Sequence, residues 1–83
     1  MDENELLVEF RTLLNDEFAI EPERVELDAR LVDDLGLDSL DLVAASLAIE
    51  DRWGVRLEDE DLVGIKTVRD AVAWVQPRLQ DVS

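Results

Sequence analysis

The sequence singles out one side chain for chemistry, the Ser39 hydroxyl, which stands between Asp38 and Asp41. A serine hydroxyl that acts as a nucleophile needs a neighbouring base to activate it. The chain has no histidine and no cysteine, which excludes Ser-His-Asp and Cys-His catalysis and any metal site built on imidazole or thiolate ligands. Lys66 is the only lysine. We therefore expect no active site in this chain, and we interpret Ser39 as a hydroxyl presented to other molecules.

A helix start holds this serine in place. The Asp38 carboxylate has the right chemistry for an N-cap, and Asp41 lies three residues later, where its side chain completes a capping box. Leu37 and Leu42 have the spacing of a hydrophobic staple. These signals predict a helix that begins at Ser39 and runs for about 22 Å before a glycine ends it.

The helix predicted over residues 39–53 is apolar on two sides. One stripe suits a core and consists of Leu42, Ala45, Ile49 and Trp53. The second stripe, called the docking stripe below, consists of Leu40, Val43 and Leu47. It lies beside Ser39, Glu50 and Asp51 on the helix. Either the helix is central and nearly surrounded, or the docking stripe is a partner surface rimmed by carboxylates, and the pattern alone favours neither.

The charge of the chain excludes several classes of partner. The formal net charge is −14, and residues 33–61 alone carry ten acidic and two basic side chains. Nucleic acid and anionic membrane surfaces are disfavoured, because both attract Lys and Arg. No apolar run approaches the roughly 18 residues that span a bilayer, and no signal-peptide pattern opens the chain. We therefore expect a cytoplasmic protein.

The first part of the chain combines a helix with a long connection. Apolar residues at helical spacing predict a helix over residues 3–18, and Asp2 with Glu5 resembles a capping box at its start. Residues 21–37 show no sustained period, yet apolar residues recur in them. We expect these residues to anchor the connection to the core, with a short helical turn near Ala29 to Val32.

Two shorter elements complete the chain. Residues 58–63 predict a short helix with Gly64 as its terminator, and Thr67 with Asp70 can cap a last helix. Pro77 removes an N–H late in that segment and leaves its last turn open. The predicted fold is all-α, a small four-helix bundle with a long first loop and a short third helix, in a single domain over residues 1–83.

The residues around the serine resemble a known family signature. Residues 33–42 read Asp-Asp-Leu-Gly-Leu-Asp-Ser-Leu-Asp-Leu. This run is similar to that of the acyl carrier proteins, whose signature Leu-Gly-x-Asp-Ser-Leu corresponds to residues 35–40. The resemblance extends over essentially the whole chain, because the predicted helices and the leucine-anchored loop fall where the family has them.

The resemblance implies a carrier that depends on a prosthetic group. Ser39 would carry a 4′-phosphopantetheine arm, installed from coenzyme A by a Mg²⁺-dependent phosphopantetheinyl transferase, with Asp38 near the metal and the transferase. The arm would supply the thiol that holds acyl groups and that the sequence lacks.

The resemblance also implies a surface for partners and a place for cargo. Ketosynthases, acyltransferases or other acyl-processing enzymes with basic patches would dock on the docking stripe and on a carboxylate rim of Asp41, Glu50 and Asp51. The candidates to line an acyl cavity are Ile49, Trp53, Leu62 and Ile65. A monomer is the default for such a shuttle.

Several residues depart from the pattern of fatty-acid carriers. Ala44 stands where many of them have Glu, and Leu47 stands where many have Met. Ala45 and Ser46 replace larger aliphatic residues, and Trp53 replaces a Phe. These differences favour a discrete carrier of a polyketide or other specialised pathway over one of primary fatty-acid synthesis.

Two alternatives remain beside this interpretation. Peptidyl carriers also use a modified serine, but they have a second glycine where this chain has Leu37. An acidic helical interaction domain with no prosthetic group would share the composition and the fold. Intact mass after incubation with coenzyme A and a transferase separates this second alternative from a carrier.

Overall fold

Four helices make up the fold in a computed structural model that describes residues 2–80. They are α1 (Glu3–Phe18), α2 (Ser39–Trp53), α3 (Asp59–Gly64) and α4 (Val68–Gln80), with a 3-10 helix at Pro22–Arg24 between the first two. Within residues 2–80 the only extended pairing is an isolated bridge between Arg30 and Thr67. The radius of gyration is 11.6 Å. The prediction of an all-α bundle with a long first loop and a short third helix is confirmed.

The predicted capping boxes form at three helix starts. The Asp2 carboxylate accepts the Glu5 N–H at 2.8 Å, and the Asp2 N–H reaches the Glu5 carboxylate at 3.3 Å. At α4 the Thr67 hydroxyl accepts the Asp70 N–H at 3.1 Å. These side chains satisfy N–H groups that a first helical turn leaves without partners. The starts of α1 and α4 therefore lie where local chemistry sets them.

The core forms where α1 packs against α4 and α2. Each helix contributes apolar residues at helical spacing, and the loops add a few more. The large side chains that are completely buried are Leu6, Val25, Val68, Val72 and Val75. Truncating a buried leucine to alanine costs about 2–5 kcal/mol, so this cluster holds the helices together.

The long first loop is attached to the rest of the molecule along its length. Its residues Val25, Leu31 and Leu35 are buried, as predicted. The Leu31 N–H donates to the Lys66 carbonyl at 3.0 Å, and the Ala29 carbonyl accepts the Val68 N–H at 3.1 Å. The loop thus pairs with the α3–α4 connection, which positions it beside the start of α2.

The helical turn expected near Ala29 to Val32 is displaced. Since residues 29–31 pair with the α3–α4 connection, the turn forms later, at residues 31–35. The Asp34 carboxylate closes it by accepting the Arg30 N–H at 2.8 Å. The pattern did not indicate this shift, because it depends on a distant segment.

The end of α3 differs from the expectation, and the end of α4, which the sequence left open, is now defined. Gly64 is the last residue of α3, and Ile65 takes the C-cap position in an extended conformation, so a left-handed glycine does not end this helix. Pro77 does not stop α4, which continues to Gln80. The Arg78 side chain donates to the Trp74 carbonyl at 2.6 Å and lies over the Trp74 ring. This contact stabilises the turn that contains the proline. No helix within residues 2–80 has the length and apolar character needed to cross a membrane.

Candidate functional site

Ser39 is the first residue of α2 and is exposed. The Asp38 carboxylate accepts the Asp41 N–H at 2.8 Å, and the Asp38 N–H donates to the Asp41 carboxylate at 3.2 Å. Both carboxylates suit the positive end of the helix dipole. The predicted capping box is therefore present, and it fixes the backbone on both sides of a hydroxyl that faces solvent.

The docking stripe lies on the solvent side of α2. The exposed fractions are 80% for Leu40, 51% for Val43 and 59% for Leu47. The helix is therefore not surrounded by the bundle, and the first of the two alternatives for this stripe is excluded. Val63 on α3 is 74% exposed and adds to the apolar surface. The sequence pattern does not reveal Val63, because its short helix has no period long enough to define a face.

The carboxylates near the stripe differ in their surroundings. Asp51 is exposed and Asp41 is partly buried in its capping box. The Glu50 carboxylate accepts the Leu57 N–H at 2.7 Å, so it holds the connection between α2 and α3. Ala44 is exposed and offers no charge. A docking role for the three acidic residues stays a prediction. Glu50 also has a structural role, through its hydrogen bond with the Leu57 N–H.

An open groove of about 900 Å³ begins at Ser39. One wall comes from α2 and another from α3, and the first loop and the α3–α4 connection form the remainder. Half of the residues that line it are aliphatic, Arg30 and Lys66 are basic, and Asp33, Asp59 and Asp70 are acidic. The aliphatic residues along it are Leu31, Val32, Leu42, Val43, Leu62, Val63 and Ile65.

A second, internal cavity is much smaller, at about 30 Å³. A volume of this size holds one or two water molecules. Of the four residues expected to line an acyl cavity, Ile49, Leu62 and Ile65 line this internal cavity, and its use by an acyl chain stays a prediction. Trp53 is not among the cavity-lining residues; its ring packs against the ring of Phe10, which does line the cavity, with the centroids 5.0 Å apart.

One carboxyl of the groove has a shifted pKa. The Asp70 carboxylate accepts the Lys66 N–H at 3.0 Å and the Thr67 N–H at 3.1 Å. These bonds, the one from Lys66 first, hold the pKa of Asp70 below its ordinary value of 3.8. Asp70 therefore stabilises the α3–α4 connection through these hydrogen bonds, and it also lines the groove.

The fold and the site together define a class of protein, a small helical carrier that presents a serine at the start of its second helix. The model of the family described as phosphopantetheine attachment site matches residues 8–75. The acyl carrier protein of Rhodococcus erythropolis is 40% identical over 74 residues, which cover 89% of this chain and 81% of the relative. The chain belongs to the acyl carrier protein family.

Further relatives agree with this assignment. The acyl carrier protein of Coprothermobacter proteolyticus is 38% identical over 79 residues and covers 95% of this chain and 96% of its own length. The meromycolate extension acyl carrier protein of Mycolicibacterium smegmatis is 38% identical over 74 residues, 89% of this chain and 75% of the relative. The crystal structure of the acyl carrier protein from Thermotoga maritima superposes with a TM-score of 0.87 at 25% identity, covering 100% of this chain and 96% of that one.

Membership of the family sets the general role of the chain. It is a non-catalytic carrier that holds acyl groups on a covalently attached 4′-phosphopantetheine. A phosphopantetheinyl transferase and acyl-processing enzymes are its classes of partner. The prediction that the chain is not an enzyme is confirmed.

Proposed function

We propose that Ser39 is the attachment residue and that acyl groups travel on it between the enzymes of a polyketide or other specialised pathway. The observation that carries the first part is the position of Ser39, exposed at the first residue of α2 and at the edge of the open groove. The capping box keeps the hydroxyl accessible while the backbone stays fixed. When bound, the arm supplies a thiol for thioester formation, which no side chain of this chain can provide.

The residues around Ser39 fit such an arm. The hydroxyl offers an oxygen for a phosphodiester bond, and Ser39 lines an open groove of about 900 Å³, half of whose lining residues are aliphatic. Asp38 is exposed next to the hydroxyl, where its carboxylate lies within reach of a metal ion brought by the transferase. Its carboxylate thus has two roles, as N-cap of α2 and as a contact for the modifying enzyme.

Partner enzymes dock on the docking stripe and on the acidic residues beside it. Leu40, Val43 and Leu47 offer an apolar centre, and Asp41, Glu50 and Asp51 offer negative charge for basic patches. Charge attraction of this kind speeds encounters and leaves the complex weak enough to separate. A carrier that visits several enzymes needs both properties.

The choice of pathway rests on residues that depart from the fatty-acid pattern. Ala44 leaves the exposed face of α2 without a carboxylate at that position. The internal cavity of about 30 Å³ leaves little room for a long acyl chain. The first observation argues against docking to the enzymes of fatty-acid synthesis, and the second favours shorter cargo, as in a polyketide or other specialised pathway.

Intact-mass measurement tests the attachment residue. After incubation with coenzyme A and a broad-specificity phosphopantetheinyl transferase, we expect one phosphopantetheine adduct on the wild-type chain and none on Ser39→Ala. Ser46→Ala is the matched control, because the Ser46 hydroxyl is buried and donates to the Val43 carbonyl at 2.7 Å. An adduct that persists in Ser39→Ala contradicts the proposal. The absence of any adduct with an active transferase favours an interaction domain instead.

A further inference from the structure

The open groove and the internal cavity share part of their lining. Leu31, Leu42, Leu62 and Ile65 belong to both, so these side chains stand between the groove at Ser39 and the core. The interior of a protein is close-packed, and added volume enters it only if buried side chains move. The groove is about 900 Å³ against about 30 Å³ for the cavity. Cargo on an arm at Ser39 therefore has far more space in the groove than in the cavity.

The groove has two cations and three carboxylates among its aliphatic lining residues, and one of the cations is Lys66. Lys66 is the only lysine of the chain, and it lines the groove in the α3–α4 connection. Within residues 2–80 its ammonium group makes no hydrogen bond or ion pair, whereas the Arg30 guanidinium pairs with Asp33 at 3.5 Å. An ammonium on a flexible four-carbon stem can turn towards an oxygen of a bound group.

The acidic residues of the groove do not cancel this cation. Asp70 faces the backbone N–H groups of Lys66 and Thr67, and Asp33 pairs with Arg30. Asp59 lies in the first turn of α3, where a carboxylate suits the helix dipole. Lys66 thus remains the available positive charge for a ligand in this part of the groove.

We infer that Lys66 is a specificity-determining residue, which favours acyl groups that carry an anionic or carbonyl oxygen beyond the thioester and holds them in the open groove. This inference rests on the proposed attachment at Ser39. A purely aliphatic acyl group of similar length gains nothing from the ammonium. A carboxylate gains an ion pair, and a ketone gains a hydrogen bond from a charged donor.

The test uses three cargoes on the full chain. A transferase loads the protein from malonyl-, acetoacetyl- or butyryl-coenzyme A, and intact mass confirms each load. Amide signals in ¹⁵N spectra then locate the cargo, and the rate of thioester hydrolysis at fixed pH, followed by intact mass, measures its protection. We expect the malonyl form to shift the amides of Val63, Lys66 and Thr67 relative to the butyryl form. We also expect its cleavage to be slower than in Lys66→Met by roughly two- to fivefold, the range of an exposed ion pair.

A matched variant separates the role of Lys66 from a general loss of charge. Arg56→Met also removes one cation, but Arg56 is exposed outside the groove lining, so protection should stay at the wild-type value. High salt should reduce the malonyl effect, which a purely structural role of Lys66 would not show. If acetoacetyl behaves as malonyl does, the inference holds for both kinds of oxygen; if only malonyl responds, the part of the inference that concerns carbonyl oxygens is overturned.

Three results would overturn the inference. Equal protection of the malonyl and butyryl forms would show that the groove does not select between them. Unchanged protection in Lys66→Met would show that Lys66 is not responsible for the protection. Shifts at Ile49 and Ala71 in place of the groove amides would locate the cargo in the core. If intact mass shows no load on Ser39, the proposed attachment at Ser39 is wrong. This outcome is thereby distinguished from a failure of the Lys66 inference.

Discussion

Asp38 and Asp41 hold each other across Ser39: each carboxylate accepts the backbone N–H of the other residue, at 2.8 and 3.2 Å. The hydroxyl between them makes none of these bonds and stays exposed. The Ser39 hydroxyl thus takes no part in the hydrogen bonds that fix the start of α2. A modification of Ser39 therefore need not disturb the bonds that position it.

Asp38→Ala should destabilise the protein by about 1 kcal/mol, the usual cost of removing an N-cap side chain. For a chain of this size the thermal midpoint should fall by roughly 4–8 °C. Thermal unfolding followed by circular dichroism measures the change. Asp38→Asn keeps the acceptor oxygen and should lose much less. Equal losses in the two variants would show that charge, and not the cap bond, stabilises this helix start.

Leu47→Glu should weaken binding to a partner ketosynthase by about tenfold or more, because it puts a charge in the apolar centre of the docking stripe. Stability should change by less than about 0.5 kcal/mol, since Leu47 is exposed. Calorimetry gives the Kd, and thermal unfolding gives the stability.

Val8→Glu is the control for this prediction, because Val8 is an apolar residue of similar exposure on α1. It should leave the Kd for the ketosynthase unchanged. Unfolding of Leu47→Glu would instead assign the stripe to the core. Equal weakening by both variants would point to net charge as the cause.

The helix starts could be predicted from the sequence because capping is local. A cap and its partner lie three residues apart, as Asp38 and Asp41 do, so a short segment of the sequence contains the whole interaction. The same holds for Gly54, which ends α2 in the left-handed conformation with a φ of 66°. These signals also placed Ser39 at the first position of α2.

The groove could not be predicted, because its walls meet only in the folded chain. The Leu31 N–H bonds the Lys66 carbonyl across more than thirty residues, and this bond brings the first loop to the α3–α4 connection. The bond from the Leu57 N–H to Glu50 spans seven residues and has no sequence signature. The presence of Lys66 and Ser39 in one groove therefore depends on tertiary contacts.

Asp70→Asn should make the protein less sensitive to acid. The pKa of Asp70 is lowered in the fold, chiefly by the Lys66 N–H, so its stabilisation is present above the ordinary value of 3.8 and is lost as the pH falls through the folded pKa. The stability advantage of wild type over Asp70→Asn should therefore shrink below about pH 4. Urea unfolding at a series of pH values measures it. Asp51→Asn removes an exposed carboxylate and controls for net charge. A constant difference between wild type and Asp70→Asn across the series would contradict the assignment.

Salt should stabilise the protein, because the acidic side chains that give it a net charge of −14 repel one another in so small a volume. Between 0.01 and 0.5 M NaCl the thermal midpoint should rise by roughly 4–8 °C, the equivalent of about 1 kcal/mol. Mg²⁺ should act at lower concentration. The double variant Asp16→Lys with Glu17→Lys provides the control, since both residues are exposed in the last turn of α1, which contains no basic residue.

This variant reduces the net negative charge by four units and also suits the helix dipole, by about 0.3–1 kcal/mol for each cation. It should unfold at a higher temperature in low salt and gain less from added salt than wild type. A midpoint that does not rise with salt in the wild type, or an equal rise in both proteins, would show that charge repulsion does not limit the stability of this fold.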